Sequence, residues 1–322
     1  MKKICVIIPV YNEEENLYLL YERLNKVFTK IVGITYTIIF IDDHSCDRTQ
    51  EILSALAKKD TCIQWLRLSK NSGSHIACAA GLDHCNTDVA IIMAADLQDP
   101  PELIPQLLAK HQEGYQLVWA VRDGREGETW FTSITSKFFY WFMNRVTDLK
   151  MPPLGADVFL ADYLVIEAFR KMPERHLSLF AALSWLGFRQ GSISYIKQAR
   201  NAGKSKWTLW RKVLLAIDSF VGFSYLPLRF MSCVGLISAG IGIVWGMIIL
   251  LMRLMGMTQA VGYASIMITI LILGGIQMLM LGVLGEYLWR TLEEARSRPR
   301  YFIESASCEK NKELCSKNEG LL

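Results

Sequence analysis

Charge is missing from one long stretch of this 322-residue sequence. Between Arg229 and Glu286 the only charged side chain is Arg253. Two uncharged runs result, Phe230 to Met252 and Leu254 to Gly285. Each reaches the roughly 20 apolar residues that a membrane-spanning helix needs. A core helix of a soluble domain keeps a polar face, so the missing charge argues against two core helices and for a transmembrane hairpin. A cleavable leader is also missing. Lys2 and Lys3 precede only Ile4 to Val10 before Asn12 and three glutamates, and no small-residue cleavage site follows. The first 225 or so residues are therefore expected not to be exported. Cysteine pairs are missing as well: eight cysteines are scattered with no C-x-x-C spacing, as expected of reduced, structural thiols in a cytoplasmic domain. There is no internal repeat.

What is present is 52% hydrophobic, with a net charge of +4 and a mean hydropathy of +0.22. Arg229 precedes the first apolar run, and Arg290, Arg296, Arg298 and Arg300 follow the second. The positive-inside rule puts both ends in the cytoplasm and the connecting loop outside. Beside a membrane anchor, basic residues meet lipid phosphate rather than nucleic acid. The polar tail from Glu304 onward lacks periodicity and is expected to be disordered. The expected organisation is a catalytic domain over 1–206, a juxtamembrane amphipathic helix over 207–228, two transmembrane helices within 229–289 (about 230–252 and 264–286), and a basic segment with its tail over 290–322. Aromatics with scattered cations at Trp130 to Val146 and Trp207 to Tyr225 fit helices lying in the membrane interface. Glycines at 235, 240, 242 and 246, and at 274, 275, 282 and 285, allow close packing of membrane helices.

In the first 125 residues strand and helix patterns alternate. Strands are predicted at Ile4–Val10, Tyr36–Ile41, Ile63–Leu68, Val89–Met93 and Gln116–Val121. Helices are predicted at Asn16–Val27, Thr49–Lys58, Ser74–His84 and Glu102–His111. That alternation predicts an α/β domain with a parallel sheet covered on both faces. Ligands of such sheets sit at the carboxyl ends of the strands, and there the polar residues gather: Tyr11-Asn12-Glu13, Asp42-Asp43, Lys70-Asn71-Ser72-Gly73, Asp96-Leu97-Gln98-Asp99 and Arg122. Carboxylates serve ribose hydroxyls, base N–H groups or a metal, and cations serve phosphate. The five endings together outline a nucleotide cleft.

Four segments carry a family resemblance: IIPVYNEEEN at 7–16, IDDHSCDRT at 41–49, KNSGSHIACAAGLD at 70–83 and AADLQDPPELI at 94–104. They resemble the donor-site motifs of family 2 glycosyltransferases, which have a Rossmann-like GT-A fold. MPERHLSLFAALSWLGF at 172–188 and GGIQMLMLGVLGEYLWRTLEEARSRPRYFI at 274–303 narrow the likeness. They are similar to the bacterial polyprenyl-phosphate glycosyltransferases, the bactoprenol glucosyltransferase group, related to dolichyl-phosphate mannose synthases. The resemblance implies inverting transfer of a hexose, glucose from UDP-glucose by preference, to undecaprenyl phosphate at the cytoplasmic leaflet of the bacterial inner membrane. The product would serve cell-envelope glycan modification, with a homotetrameric enzyme and a small membrane flippase as its partner.

By the same resemblance, Pro9, Tyr11, Asn12, Glu13, Asp42 and Asp43 hold the donor's base and ribose. Asp96 and Gln98 contact Mg²⁺ or Mn²⁺ bridging the UDP phosphates. Arg122 and Arg125, around VRDGREGE, close on phosphate, and Asp157 in LGADVFLAD is the base. Arg200, Lys204, Ser205 and Lys206 bind the acceptor phosphate. The ordinary alternatives are a turn of polar caps, a solvated loop and a surface basic run. Alternation along a strand end would let Asp96 and Gln98 point one way, and Asp99, ahead of two prolines, reads as a helix cap. The sequence departs from the family pattern at three places. Ala94 stands where Asp is usual, His44 where Gly is common, and Val158-Phe159 where Phe-Arg often follows the base. Ala94 and Val158-Phe159 keep open a catalytically weakened homologue that binds donor with little turnover. GDP-mannose or an amino-sugar nucleotide as donor also stays open. Two spans argue against a polymer synthase with its own pore.

Overall fold

The computed structural model describes residues 2–125, 156–172, 179–198, 226–256 and 262–307, which fall into two units. The first is the α/β unit. Its strands are β1 (Lys2–Val10), β2 (Ile34–Asp42), β3 (Ile63–Leu68), β4 (Val89–Ile92), β5 (Leu117–Arg125), β6 (Ala156–Asp162), β7 (Gln190–Lys197) and β8 (Ile303–Ala306). Its helices are α1 (Leu17–Phe28), α2 (Thr49–Lys59), α3 (Ser74–His84), α4 (Ile104–Gln112), α5 (Tyr163–Arg170) and α6 (Leu179–Trp185), with a 3-10 turn at Pro101–Leu103 ahead of α4. The sheet order is β7-β5-β6-β4-β1-β2-β3-β8.

β4-β1-β2-β3 pair in parallel and are four of the five predicted strands; the fifth, β5, pairs in parallel with β7. Residues 4–8 of β1 and all of β4 are buried, as a strand covered on both faces requires. Leu17, Leu20 and Leu24 lay the apolar stripe of α1 against this core. Gly81 lets α3 lie on β1, because a Cβ there would run into Ile7 Cγ2.

Two features differ from the expected parallel sheet. β6 is antiparallel to both β4 and β5 and lies between them, so β5 runs with β4 but does not neighbour it. β8 pairs antiparallel with β3 at the far edge. The tail expected to be disordered from Glu304 therefore begins as a sheet strand: the Trp65 amide donates to Ser307 Oγ and the Ser307 amide to the Trp65 carbonyl. Four residues of strand show no period to a sequence reading. An edge with open N–H and C=O groups is what recruits them.

The second unit holds α7 (Leu226–Leu254) and α8 (Tyr263–Ala295). Both are long and apolar enough to cross a membrane, over Leu228–Ile249 and Ile272–Ala295. Leu236 is 77% exposed and Trp245 63%, a surface that water does not favour and acyl chains do. The expected glycine packing holds at one position within this pair. A Cβ on Gly235 would touch Met280, while the other seven glycines of the two stripes have nothing within 4 Å. Trp130 to Val146 and Trp207 to Tyr225 lie outside the described residues.

Candidate active site

The site is built at the carboxyl ends of β1, β2 and β4. Three of the four non-glycine residues with positive φ among the described residues stand there: Asn12 at 51°, His44 at 63° and Leu97 at 59°. Such backbone persists where neighbours hold it, and they do. The Asn12 amide donates to Ser45 Oγ (2.9 Å), and Asn12 Oδ1 accepts from the Cys46 amide (2.8 Å). The Glu13 amide donates to Thr49 Oγ1 (3.0 Å), and its carboxylate accepts from Asn16 Nδ2 (2.8 Å). The turn after β1 is thus stitched to the turn after β2, with Pro9 level with Ile41 in the ladder beneath and Tyr11 half-buried above it.

Asp42 and Asp43 have different tasks. Asp42 is fully buried. One of its oxygens accepts from the Ser45 amide (2.9 Å) and the other from Arg67 Nη1 (2.6 Å). Asp43 points to the next loop, accepting from the Ser72 and Gly73 amides (2.7 and 2.8 Å). Gly73, at φ 92°, supplies the left-handed backbone that this contact needs. Burial lifts the Asp43 carboxyl above its ordinary range, and the two amides pull it back. Arg67 also grips Glu304 of β8 (2.9 Å), and the His44 ring lies 3.4 Å from the same Glu304. The position where the family often has glycine is thus occupied by a half-exposed histidine against the edge strand.

Arg67 carries no mark in the sequence, because it sits inside β3 rather than at a strand end. Removing one partner of a buried ion pair costs about 3–5 kcal/mol. Arg67→Met is therefore expected to destabilise the chain by about 3 kcal/mol and to weaken UDP binding, read by thermal unfolding in detergent and by calorimetry. Unchanged values in both would show that Asp42 is held without it.

At β4 the premise for Asp96 and Gln98 changes. The strand stops at Ile92, and residues 95–99 form a bend. Strand alternation does not govern it. Instead the left-handed Leu97 turns the chain, and the Gln98 amide donates to Asp96 Oδ1 (3.2 Å). Asp96 is half-buried. Gln98 is buried, with its Nε2 directed at the Gln198 carbonyl (3.4 Å), which leaves Oε1 as the atom suited to a cation. Among the described residues no three His, Cys, Asp or Glu side chains cluster as a metal cage. One carboxylate plus one amide oxygen suits Mg²⁺ or Mn²⁺ when phosphates and water complete the shell, so the residues present fit a cation carried by a diphosphate.

Asp99 is no helix cap. It is fully buried, accepts from the Tyr195 hydroxyl and lies 3.7 Å from Lys197 Nζ. Burial pushes its carboxyl up to about 6, with Lys197 pulling against it. Lys197 also donates to Asp157 Oδ2. Asp157 itself stands at a bulge: Val121 pairs with Ala156 and Ala120 with Val158, and the register shifts at the residue between. Its side chain is 41% exposed, and Arg122 lies 3.8 Å away, within reach of the same oxygen. Val158 and Phe159 are core residues, the latter packed on Trp119 and Phe180. The cation that the family often carries two residues after this aspartate therefore has no place at Phe159, and Lys197 brings one to Asp157 from β7. His75, on α3, accepts from the Leu179 amide, and burial lowers its ring to about 4, so it is neutral at pH 7.

Arg125 ends β5, level with Lys197 in the ladder. Arg200, Lys204, Ser205 and Lys206 lie outside the described residues. Lys197 and Tyr195 lie outside the motifs, and Asp99 lies within one but reads there as a cap. A signal exists: Ile193, Tyr195 and Lys197 take the buried positions of a period-2 strand, and an inward lysine is rare unless paired.

Over 301 residues the chain is 39% identical to an uncharacterized glycosyltransferase of Synechocystis, covering 94% of each protein. Residues 5–165 match the glycosyl transferase family 2 model. The chain belongs to glycosyltransferase family 2. This glycosyltransferase is also 36% identical over 303 residues to the bactoprenol glucosyl transferase of Shigella phage SfX, covering 94% of this chain and 99% of the phage protein. Its α/β unit has the GT-A fold. Mannosyl-3-phosphoglycerate synthase from Rubrobacter xylanophilus superposes with a TM-score of 0.51 over 67% of this chain and 71% of that one, at 17% identity.

Proposed function

We propose that this glycosyltransferase moves glucose from UDP-glucose to undecaprenyl phosphate, with inversion, at the cytoplasmic face of a bacterial inner membrane. One observation carries the reading. The half-exposed Asp157, beside Arg122 and Lys197, belongs to a chain that also bears two membrane-length apolar helices. A lipid acceptor requires a site held at the bilayer, which such helices would supply, and the near full-length likeness to a bactoprenol glucosyl transferase supports that acceptor. Glycines with open space on α7 and α8 suit close packing between copies, in line with the homotetramer that the resemblance implies.

The chemistry needs little base strength. A phosphate monoester has its second pKa near 6, so at pH 7 the acceptor is mostly dianionic. Its oxygen attacks the anomeric carbon, the bond to the UDP diphosphate breaks on the opposite side, and UDP leaves. Asp157 takes up any proton left on the acceptor and orients it, while Arg122 attracts the phosphate charge. Asp43 and the Tyr11–Glu13 turn hold the nucleoside, and Asp42, buried on Ser45 and Arg67, supports the turn after β2 from beneath. Arg125, Arg200, Lys204, Ser205 and Lys206 are the further phosphate contacts proposed. A divalent cation held by Asp96 and Gln98 Oε1 would offset charge on the departing diphosphate.

The test is the purified full chain with undecaprenyl phosphate, Mg²⁺ or Mn²⁺, and radiolabelled UDP-glucose, GDP-mannose and UDP-amino sugars. Lipid-linked glucose is the expected product. Product from another donor alone would replace the sugar, and no product from any donor would sink the acceptor reading.

A further inference from the structure

The geometry points to Lys197 as the positioning residue for Asp157: its ammonium, held between buried Asp99 and half-exposed Asp157, fixes the reacting carboxylate. This rests on the proposed role of Asp157 and adds a residue to it. The bulge at Asp157 is the first ground. A bulge re-aims the side chain it carries, and here the re-aimed carboxylate meets the Lys197 ammonium. The second is burial. Lys197 is 8% exposed on its side chain and Asp99 is fully buried, whereas Asp157 is 41% exposed. The ammonium thus meets substrate only through Asp157.

The third ground is how firmly the lysine itself is placed. It is the last residue of β7, on the buried side of that strand. The Tyr195 hydroxyl, two residues earlier, donates to Asp99 Oδ1. One residue later, the Gln198 amide donates to the Gln98 carbonyl (2.9 Å), and Gln98 Nε2 donates to the Gln198 carbonyl. β7 and the loop after β4 are therefore locked together on both sides of Lys197. Lys197 Nζ lies 3.7 Å from Asp99 Oδ1, the oxygen that also accepts from Tyr195, so the ammonium faces a buried carboxylate whose Oδ2 has no hydrogen-bond partner among the described residues. A buried ammonium is stable only when paired. Here it has two carboxylates, one fixed by the core and one turned to the cleft.

The experiment uses the full chain in detergent or nanodiscs. Lys197→Met is expected to lower kcat about 10- to 100-fold and to leave KM for the nucleotide sugar within about twofold, because the base is misplaced while the donor turns are intact. Lys197→Met leaves Asp99 uncompensated and can cost folding. Lys197→Met/Asp99→Asn removes that charge, and the same loss of kcat is expected at an unchanged melting temperature. In an Asp157→Asn background Lys197→Met is expected to add less than a twofold loss, since it acts through Asp157. Lys197→Met/Asp99→Asn turning over at the parental rate would overturn the inference. So would an undiminished Lys197→Met effect in the Asp157→Asn background. Asp157→Asn at full rate would instead remove the base reading itself. An inactive Asp157→Asn with fully active lysine variants would remove only Lys197.

Discussion

Asp157→Asn is expected to lower kcat for lipid-linked product about a hundredfold while KM for the nucleotide sugar stays within about twofold. The acceptor is already mostly dianionic, so the loss is chiefly one of orientation; misplacing a reacting group costs about 10²-fold, which corresponds to about 2.7 kcal/mol at 1.36 kcal/mol per tenfold. The carboxylate has the exposure and the company for that role: it is 41% open, and Arg122 and Lys197 both approach its Oδ2. The amide keeps the size of the side chain, and its oxygen can still accept from Lys197. The fold and the donor turns, which involve β1, β2 and the loop after β3, are thereby preserved. Initial rates with radiolabelled donor give kcat and KM, and UDP calorimetry checks the donor site. A rate within threefold of the parent would remove Asp157 from the chemistry. A large rise in KM with kcat unchanged would make it a binding residue instead.

The sequence discloses the nucleotide half of this protein far better than the acceptor half, for a physical reason. β1, β2 and β4 each hold a buried, continuous apolar run that ends in polar residues where the chain leaves the core. Motif and strand end coincide there, and the pairing of Asn12 with Ser45 or Asp43 with Gly73 joins neighbouring ends. The other half is assembled across long separations. Asp157 meets Lys197 across 40 residues, and on the donor side too the pair without a motif, Arg67 and Glu304, spans 237. β6 is inserted antiparallel between β4 and β5, an arrangement that local periodicity does not encode. Asp99 shows the limit in a single residue. Ahead of two prolines it has every local mark of a cap, yet tertiary packing buries it against Tyr195. The two membrane-length helices are the easiest elements to read, since an uncharged run of about 20 residues is what a bilayer core demands and a soluble core does not.

The same contrast sets the second large effect, at Asp96. In the loop after β4 position 94 is alanine, and Asp99 is committed to Tyr195 and Lys197. On the proposed reading, Asp96 is then the carboxylate of that loop that meets a cation carried by the donor diphosphate. Asp96→Ala is expected to abolish transfer by at least a thousandfold and to lower the affinity for Mn²⁺–UDP by a similar factor. A charge pair near 4 Å at an effective dielectric of about 20 is worth about 4 kcal/mol, the size of that loss. The binding readout is the Mn²⁺ spin-resonance signal titrated with UDP and protein, which does not depend on turnover. Ala94→Asp is the converse. A second carboxylate is expected to tighten Mn²⁺–UDP by about tenfold and to raise activity at limiting metal. Mn²⁺–UDP bound equally by parent and Asp96→Ala would place the cation elsewhere. Ala94→Asp with no effect on metal affinity would show that Asp96, Gln98 and the diphosphate oxygens already complete the site, and that alanine at 94 does not weaken this enzyme.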